Sequence, residues 1–251
     1  MCLILFAHKV HPEYPLIVAA NRDEFYKRPT EAAKWWKSYP GLLGGKDLIG
    51  GGSWFSVNEK GNFAALTNIR EPENFNKDAP SRGPLVTDFL LKKNDPAQYI
   101  SSIQNSGKAY NGFNLLLGDG KDIYYFSNRS ESLGKLEPGV YGLSNHLLDT
   151  PWPKVKKGKE KLSRLLENPV ISPKSLLEGL KDKEIEEDAN LPSTGVPIEW
   201  ERSLSAMYIE MENYGTRCST ILTISNENVV NFLEESYIPE DFKEYSFEIK
   251  S

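Results

Sequence analysis

Four pairs of apolar or β-branched runs in this chain are joined by links too short for any connection except a hairpin. Residues 2–8 and 15–21 flank His11-Pro12-Glu13, and 53–59 and 62–68 flank Glu59-Lys60-Gly61. Residues 113–118 and 122–127 flank Asp119-Gly120, and 219–225 and 229–235 flank Asn226-Glu227-Asn228. A parallel neighbour needs a crossover of roughly a dozen residues, so each pair is antiparallel. Another strand is expected at about 139–144. Helix signals fall in separate blocks. Ser81-Arg82-Gly83-Pro84 opens a segment with Leu85, Phe89 and Leu90 on one side, and Pro96 starts a second to about Asn105. Thr150-Pro151-Trp152-Pro153 opens a third to about Glu167, and Ser172-Pro173 a fourth through Leu180, each with proline in the first turn. Residues 182–198, acidic and proline-bearing, read as a long surface loop. Strands and helices segregated in this way predict an α+β chain with antiparallel sheets rather than a doubly wound parallel one. No repeat, low-complexity stretch or linker divides the 251 residues, so 1–251 reads as one domain.

Charge narrows the partners. Acids and bases are mixed along the chain, with 35 Asp and Glu against 30 Lys and Arg and a formal net charge of -5. No basic stripe supplies the charge that phosphate neutralisation needs, so no nucleic-acid partner is expected. The densest basic stretch, Lys154 to Arg164, carries Val155, Leu162, Leu165 and Leu166 at helical spacing and reads as a solvated helix face. No run approaches the ~20 apolar residues of a membrane helix, which predicts that the chain is not an integral membrane protein. The first apolar run lacks a cationic region before it and is short for a signal peptide, which suggests a cytoplasmic location. Cys2 and Cys218 make no disulfide framework, and His8, His11 and His146 lack companions at ligand intervals. Neither a metal nor a cofactor is therefore expected. The run Gly50-Gly51-Gly52 is followed by a strand and by no GK[ST], so it reads as a close backbone approach or one wall of a pocket.

Chemistry points to position 2. Aminopeptidases remove an initiator readily when the next residue is small, and Cys2 then carries a thiol and a free α-amine on one carbon. An unperturbed thiol titrates near ~8.5 and an α-amine near ~8, so the amine can take the thiol proton close to neutrality. The plain alternative is a small apolar residue opening a strand. Polar clusters stand at strand ends elsewhere: Asn21-Arg22-Asp23-Glu24, Thr67-Asn68 with Arg70, Ser144-Asn145-His146, and Tyr214 through Thr220. If the first two strands pair, Arg22 and Asp23 return beside Cys2, where a guanidinium favours the thiolate. Each cluster also reads as a solvated turn, and Arg217 as the partner of an acid. His146 offers a thiol a base, a weaker option. Alternation along a strand sends Cys218 to the face opposite Arg217 and makes it a core residue.

Taken in order, these residues resemble the NRDE family, that of transport and Golgi organisation protein two. The resemblance rests on Met1-Cys2-Leu3-Ile4, Asn21-Arg22-Asp23-Glu24 with Phe25, Gly51-Gly52-Ser53-Trp54, Leu66-Thr67-Asn68 and Ser81-Arg82-Gly83. Gly112-Phe113-Asn114-Leu115, Gly142-Leu143-Ser144-Asn145 and Tyr214-Gly215-Thr216-Arg217 complete it. The family is similar to N-terminal nucleophile hydrolases of the choloylglycine hydrolase and penicillin V acylase branch. That similarity implies a four-layer αββα sandwich of antiparallel sheets. It implies catalytic roles for Cys2, Arg22, Asp23, Asn68, Asn145 and Arg217, with Arg beside Asp where the acylases place a residue or two between them. The expected activity is hydrolysis of small, non-peptide amides, with a small molecule as partner. The resemblance also implies a rival, a non-catalytic carrier of haem or acyl-CoA-type lipid. Trp35, Trp36, Trp54, Tyr124 and Phe126 could line its pocket or simply fill the core, and no CxxCH supports haem.

Overall fold

The computed structural model describes residues 2–92, 95–130 and 134–250; Met1, whose removal the N-terminal chemistry requires, lies outside them. Among the described residues, thirteen strands form two sheets. In the first sheet the order is β10 (Gly139–Leu143), β1 (Cys2–His8), β2 (Leu16–Phe25), β11 (Tyr214–Ile224), β12 (Val229–Tyr237) and β13 (Glu240–Glu248). The second runs β3 (Thr30–Trp35), β4 (Leu42–Asp47), β5 (Phe55–Asn58), β6 (Phe63–Asn68), β7 (Phe113–Gly118), β8 (Ile123–Ser127) and β9 (Gly134–Lys135). Neighbouring strands are antiparallel in both, as the short links require.

Side-chain alternation assigns each strand two cores. From β1, Ile4 and Phe6 enter the layer between the sheets, while Leu3, Leu5 and Ala7 face helices α3 (Pro153–Leu166) and α4 (Pro173–Gly179). In the middle layer Phe55 meets Phe232 edge-on at 5.7 Å and Phe63 at 6.3 Å, which joins the two sheets face to face. Leu115, Leu117 and Phe126 of the second sheet pack instead under α1 (Gly83–Leu91) and α2 (Pro96–Ile103). With helices outside both sheets the layers run αββα, the expected α+β sandwich. No helix among the described residues is long and apolar enough to cross a membrane.

Strands β3, β4 and β13, with helix α5 (Ile198–Ser205), were not anticipated from the sequence. In β3 and β13 the cause is the edge position: each has one partner and presents charges outward, as in Glu240-Asp241-Phe242-Lys243-Glu244. The glycine run does make a close approach. A Cβ added at Gly52 would lie 2.1 Å from the carbonyl carbon of Gly83, so the start of α1 rests directly on that backbone.

One buried acid ties the sheets together at their edge. The register of β3 against β4 shifts between Glu31 and Lys34, and the Ala33 N–H donates to Glu234 Oε1 of β12 at 2.6 Å. Burial pushes the Glu234 carboxyl up to about 7. A raised carboxyl binds its proton more tightly in the folded than in the unfolded chain. Its contribution is therefore present below the unfolded pKa near ~4.3 and lost as pH rises through about 7. Glu234→Gln keeps an acceptor for Ala33 and cannot ionise. In urea unfolding, wild type should lose of the order of 3 kcal/mol more than this variant between pH 4 and 8; parallel curves would refute the assignment.

Candidate active site

Cys2 opens β1 directly opposite Arg22 of β2, and Arg22 lies opposite Cys218 of β11 on its other side. Cross-strand partners share a face, so the two thiols flank one guanidinium. Two strand spacings of ~4.8 Å separate the cysteines by about 10 Å, beyond the ~7 Å Cα limit of a disulfide. The guanidinium is clamped by the second sheet. It lies 4.3 Å over the Trp54 ring and donates from Nη2 to Asp47 Oδ2 at 3.0 Å. Asp47 ends β4 and also accepts from Arg28 at 2.6 and 3.1 Å and from the Ile49 and Gly50 N–H groups at 3.0 and 2.7 Å. Burial alone would raise the Asp47 carboxyl, but these donors hold it below the usual range.

A cavity of about 360 Å³ opens at this end of the sandwich. Cys2, Arg22, Asp23, Asn68, Trp54 and Arg82 line it, and Ile49 and Phe75, 65% and 64% exposed, stand at its apolar rim. Burial raises the Cys2 thiol, and the Asp23 carboxylate adds to that; Arg22 and a hydrogen bond from the Asp23 backbone N–H act against them. Arg22 is thus the side chain that favours the thiolate.

Asp23 follows Arg22 and turns to the other face of β2, toward the layer of α3. Thr216 Oγ1 donates to its Oδ1 at 2.7 Å. Burial raises this carboxyl, opposed first by Lys154 and then by Thr216 and Arg22. Lys154, in the first turn of α3, is only 2% exposed, and its Nζ has no acceptor among the described residues. The solvated-face reading of this stretch therefore fails at Lys154. Lys154 lies on the buried face of α3, while Lys156, Lys157, Lys159 and Lys161 are exposed or half-exposed. Burial pushes its ammonium down to about 8 against the pull of Asp23. Behind it Arg70 Nη1 donates to Glu201 Oε2 at 2.6 Å, both side chains buried, with the Arg70 guanidinium 4.9 Å over Trp152.

Asn68 reaches the cavity from the end of β6, whereas Asn145 sits just behind it. Asn145 Nδ2 donates to the Asn68 carbonyl at 3.0 Å, and the Arg70 N–H returns to the Asn145 carbonyl at 2.8 Å. Ser144 Oγ donates to the Cys2 carbonyl at 3.1 Å, so the turn after β10 fastens β1 and β6 together. His146 takes no part in the cavity, and its Nδ1 is 2.9 Å from Thr150 Oγ1.

Arg217 lies elsewhere. The β11 register slips between Thr216 and Cys218, leaving Arg217 as the extra residue of a bulge. Its Nη1 donates to the carbonyls of Phe25, Tyr26 and Arg28 at 2.9, 2.9 and 3.0 Å, and its Nη2 to that of Ile238 at 2.8 Å. The bulge also defeats alternation: Cys218 and Arg217 border the same second cavity. Cys218 is fully enclosed, and burial drives its thiol far up, which suits a packing role. The structure thus gathers Cys2, Arg22, Asp23 and Asn68, sets Asn145 behind them, and gives Arg217 to the loop after β2. Of the aromatics named as possible pocket lining, Trp54 borders the Cys2 cavity, whereas Trp35, Trp36, Tyr124 and Phe126 do not. Asp47, Arg82 and Lys154 were missed as site residues.

A sequence model described as Transport and Golgi organisation 2 matches residues 1–239. The Homo sapiens Transport and Golgi organization protein 2 homolog is 36% identical over 277 residues, covering 100% of both chains. The Drosophila melanogaster Transport and Golgi organization protein 2 is 27% identical over 94% of this chain and 92% of its own. Among solved structures, a Clostridium perfringens conjugated bile acid hydrolase aligns with TM-score 0.54 at 9% identity, over 100% of this chain and 98% of its own. A Caenorhabditis elegans ortholog of N-acylethanolamine-hydrolyzing acid amidase aligns with TM-score 0.52 at 11% identity, over 88% of this chain and 92% of its own. At such identities the two enzymes establish a shared fold, that of N-terminal nucleophile hydrolases.

Of the two thiols beside Arg22, Cys2 is the one that is not fully buried. Arg22→Gln removes the cation and should slow iodoacetamide labelling of Cys2 at pH 7.5 by about 3- to 10-fold, with the reactivity midpoint moved to higher pH. Cys218 should stay unlabelled in the folded protein. An unchanged rate profile would separate Arg22 from the thiol.

Proposed function

The chain belongs to the Transport and Golgi organisation 2 family, and from its site we propose an N-terminal-cysteine hydrolase that cuts small, linear, non-peptide amides. The observation that carries this reading is the placement of Cys2 at a cavity of about 360 Å³, in one ladder rung with a clamped Arg22. Removal of Met1 frees the Cys2 α-amine, which takes the thiol proton, directly or through one water. The thiolate adds to the amide carbonyl carbon, and the carbonyl electron pair moves onto oxygen. Asn68 donates to that oxyanion, its backbone steadied by Asn145. The tetrahedral species collapses, the C–N bond breaks, and the ammonium hands its proton to the leaving nitrogen. Water, deprotonated by the same amine, then releases the acyl group as a carboxylic acid and restores the thiol. Asp23, reached from the neighbouring strand, orients the ammonium. Arg22 sustains the thiolate, a task Arg217 is not placed to share because its Nη atoms hold four backbone carbonyls and it lies outside the Cys2 cavity. A cytoplasmic setting belongs to this reading, since a reducing medium keeps Cys2 a thiol.

The exposed Ile49 and Phe75 at the rim favour a second reading, a carrier that holds an acyl-bearing lipid without cutting it. Haem is the poorer cargo, because no histidine among the described residues lines this cavity.

Intact mass of protein from its own host, then turnover of a panel of N-acyl amides, tests the reading. Met1 should be absent. Cys2→Ser should lose more than 100-fold in kcat with its unfolding curve unchanged. Asn68→Ala should lose about 100-fold, the ~3 kcal/mol value of one oxyanion donor. Equal turnover by Cys2→Ser would end the hydrolase reading; no turnover by wild type, with an acyl chain retained through purification, would favour the carrier.

A further inference from the structure

A second cavity, about 150 Å³, shares Arg22 and Trp54 with the Cys2 cavity as a common wall. Its remaining lining includes Arg217, Cys218, Glu234 and Ser236. Three side chains lining this cavity carry a buried N–H with no acceptor among the described residues: Arg22 Nη1, Trp54 Nε1 and Arg217 Nε. Buried donors are almost always satisfied in folded proteins, and leaving one unmade is costly. Three around one small cavity call for an occupant rich in acceptor oxygens.

Charge agrees with that demand. The acids at the outer edge are already paired, Glu31 with Lys34 at 2.9 Å and Asp241 with Lys243 at 3.0 Å. Among the described residues Arg217 has no carboxylate partner; its acceptors are four backbone carbonyls and the Thr30 hydroxyl, all neutral oxygens. The inner acid, Glu234, is occupied by the Ala33 N–H at 2.6 Å and by Thr220 Oγ1 at 3.4 Å. Cys218, Arg22 and Tyr245 are its other close titratable neighbours, and its carboxyl gives up much of its charge near neutrality. The volume suits a carboxylate with a few carbons and is too small for a long acyl chain.

We propose that this cavity is a binding site for a small carboxylate, held by the N–H groups of Arg22, Arg217 and Trp54. Because Arg22 is shared, an occupant there draws the guanidinium's charge away from Cys2. Occupancy therefore lowers the reactivity of the thiol next door without entering its cavity. The site does not depend on the hydrolase reading, since its donors report binding whether or not the protein turns over any amide.

Proton–nitrogen correlation spectra of the whole chain test it, followed through the Trp54 Nε1–H and Arg217 Nε–H resonances. Sodium acetate and propionate are titrated against sodium chloride at constant ionic strength. Both resonances should move to saturation with the carboxylates and stay put with chloride, while iodoacetamide labelling of Cys2 slows at least 2-fold along the same curve. Ser236→Leu fills the cavity, leaves all three donors in place and should weaken the apparent affinity at least 10-fold; Ala32→Leu serves if that variant does not fold. Shifts that rise linearly, that chloride reproduces, or that saturate unchanged in the filled variant would overturn the site, leaving water as its occupant.

Discussion

Everything at the open end of this sandwich depends on how Arg22 is held. A lone guanidinium at the end of a strand would wander in solvent. Here the first sheet supplies its backbone, the second supplies a ring beneath it and a carboxylate beside it, and Arg28 fixes that carboxylate in turn. The sheets therefore meet through two contacts of different kinds. The phenylalanine layer around Phe232 is non-directional and sets their spacing. The Arg22 clamp is directional and sets where one strand end stands relative to the other. Two cavities exist on either side of it because one planar group cannot fill the width between sheets that the aromatic core imposes.

The arrangement of cations around Cys2 divides along the same plane. Arg22 acts on the sulfur from between the sheets, while Lys154, on the helical side, is the foremost cation acting on Asp23. Consecutive residues Arg22 and Asp23 line one cavity yet draw their partners from different layers, because a strand turns its side chains alternately. In a helix the same dipeptide would place both groups on adjoining flanks of one surface. The Lys154 ammonium, sunk without an acceptor among the described residues, compensates the carboxylate through space rather than by contact.

Much of this was legible beforehand. The hairpin-length links carried the antiparallel topology, and the proline-opened helices between them carried the layering. The pairing of Cys2 with the Asn21-Arg22-Asp23-Glu24 strand end followed from a hairpin alone. What escaped reading lacked a local pattern. Strands β3 and β13 are edge strands whose charges mask alternation. Asp47 and Trp54 become site residues only when sheet two lies on sheet one, a contact that no spacing within either segment encodes. Lys154 resembles its solvated neighbours in sequence, and the bulge that diverts Arg217 inserts one residue where a regular ladder predicts none.

The anchoring of β1 has a consequence of its own. Cys2 is paired with β2 on one edge, the strand it opens is paired with β10 on the other, and its carbonyl is bound by Ser144. Its place in space is thus dictated by the ladder and owes nothing to the chain ahead of it. The sheet works as a ruler, and Cys2 is the mark at which the ruler ends. Residues added before Cys2 leave the thiol where it is, whereas removing one residue inside β1 turns the thiol toward the helices and brings a different side chain to the cavity. The length of this strand, rather than anything before it, is what places the thiol.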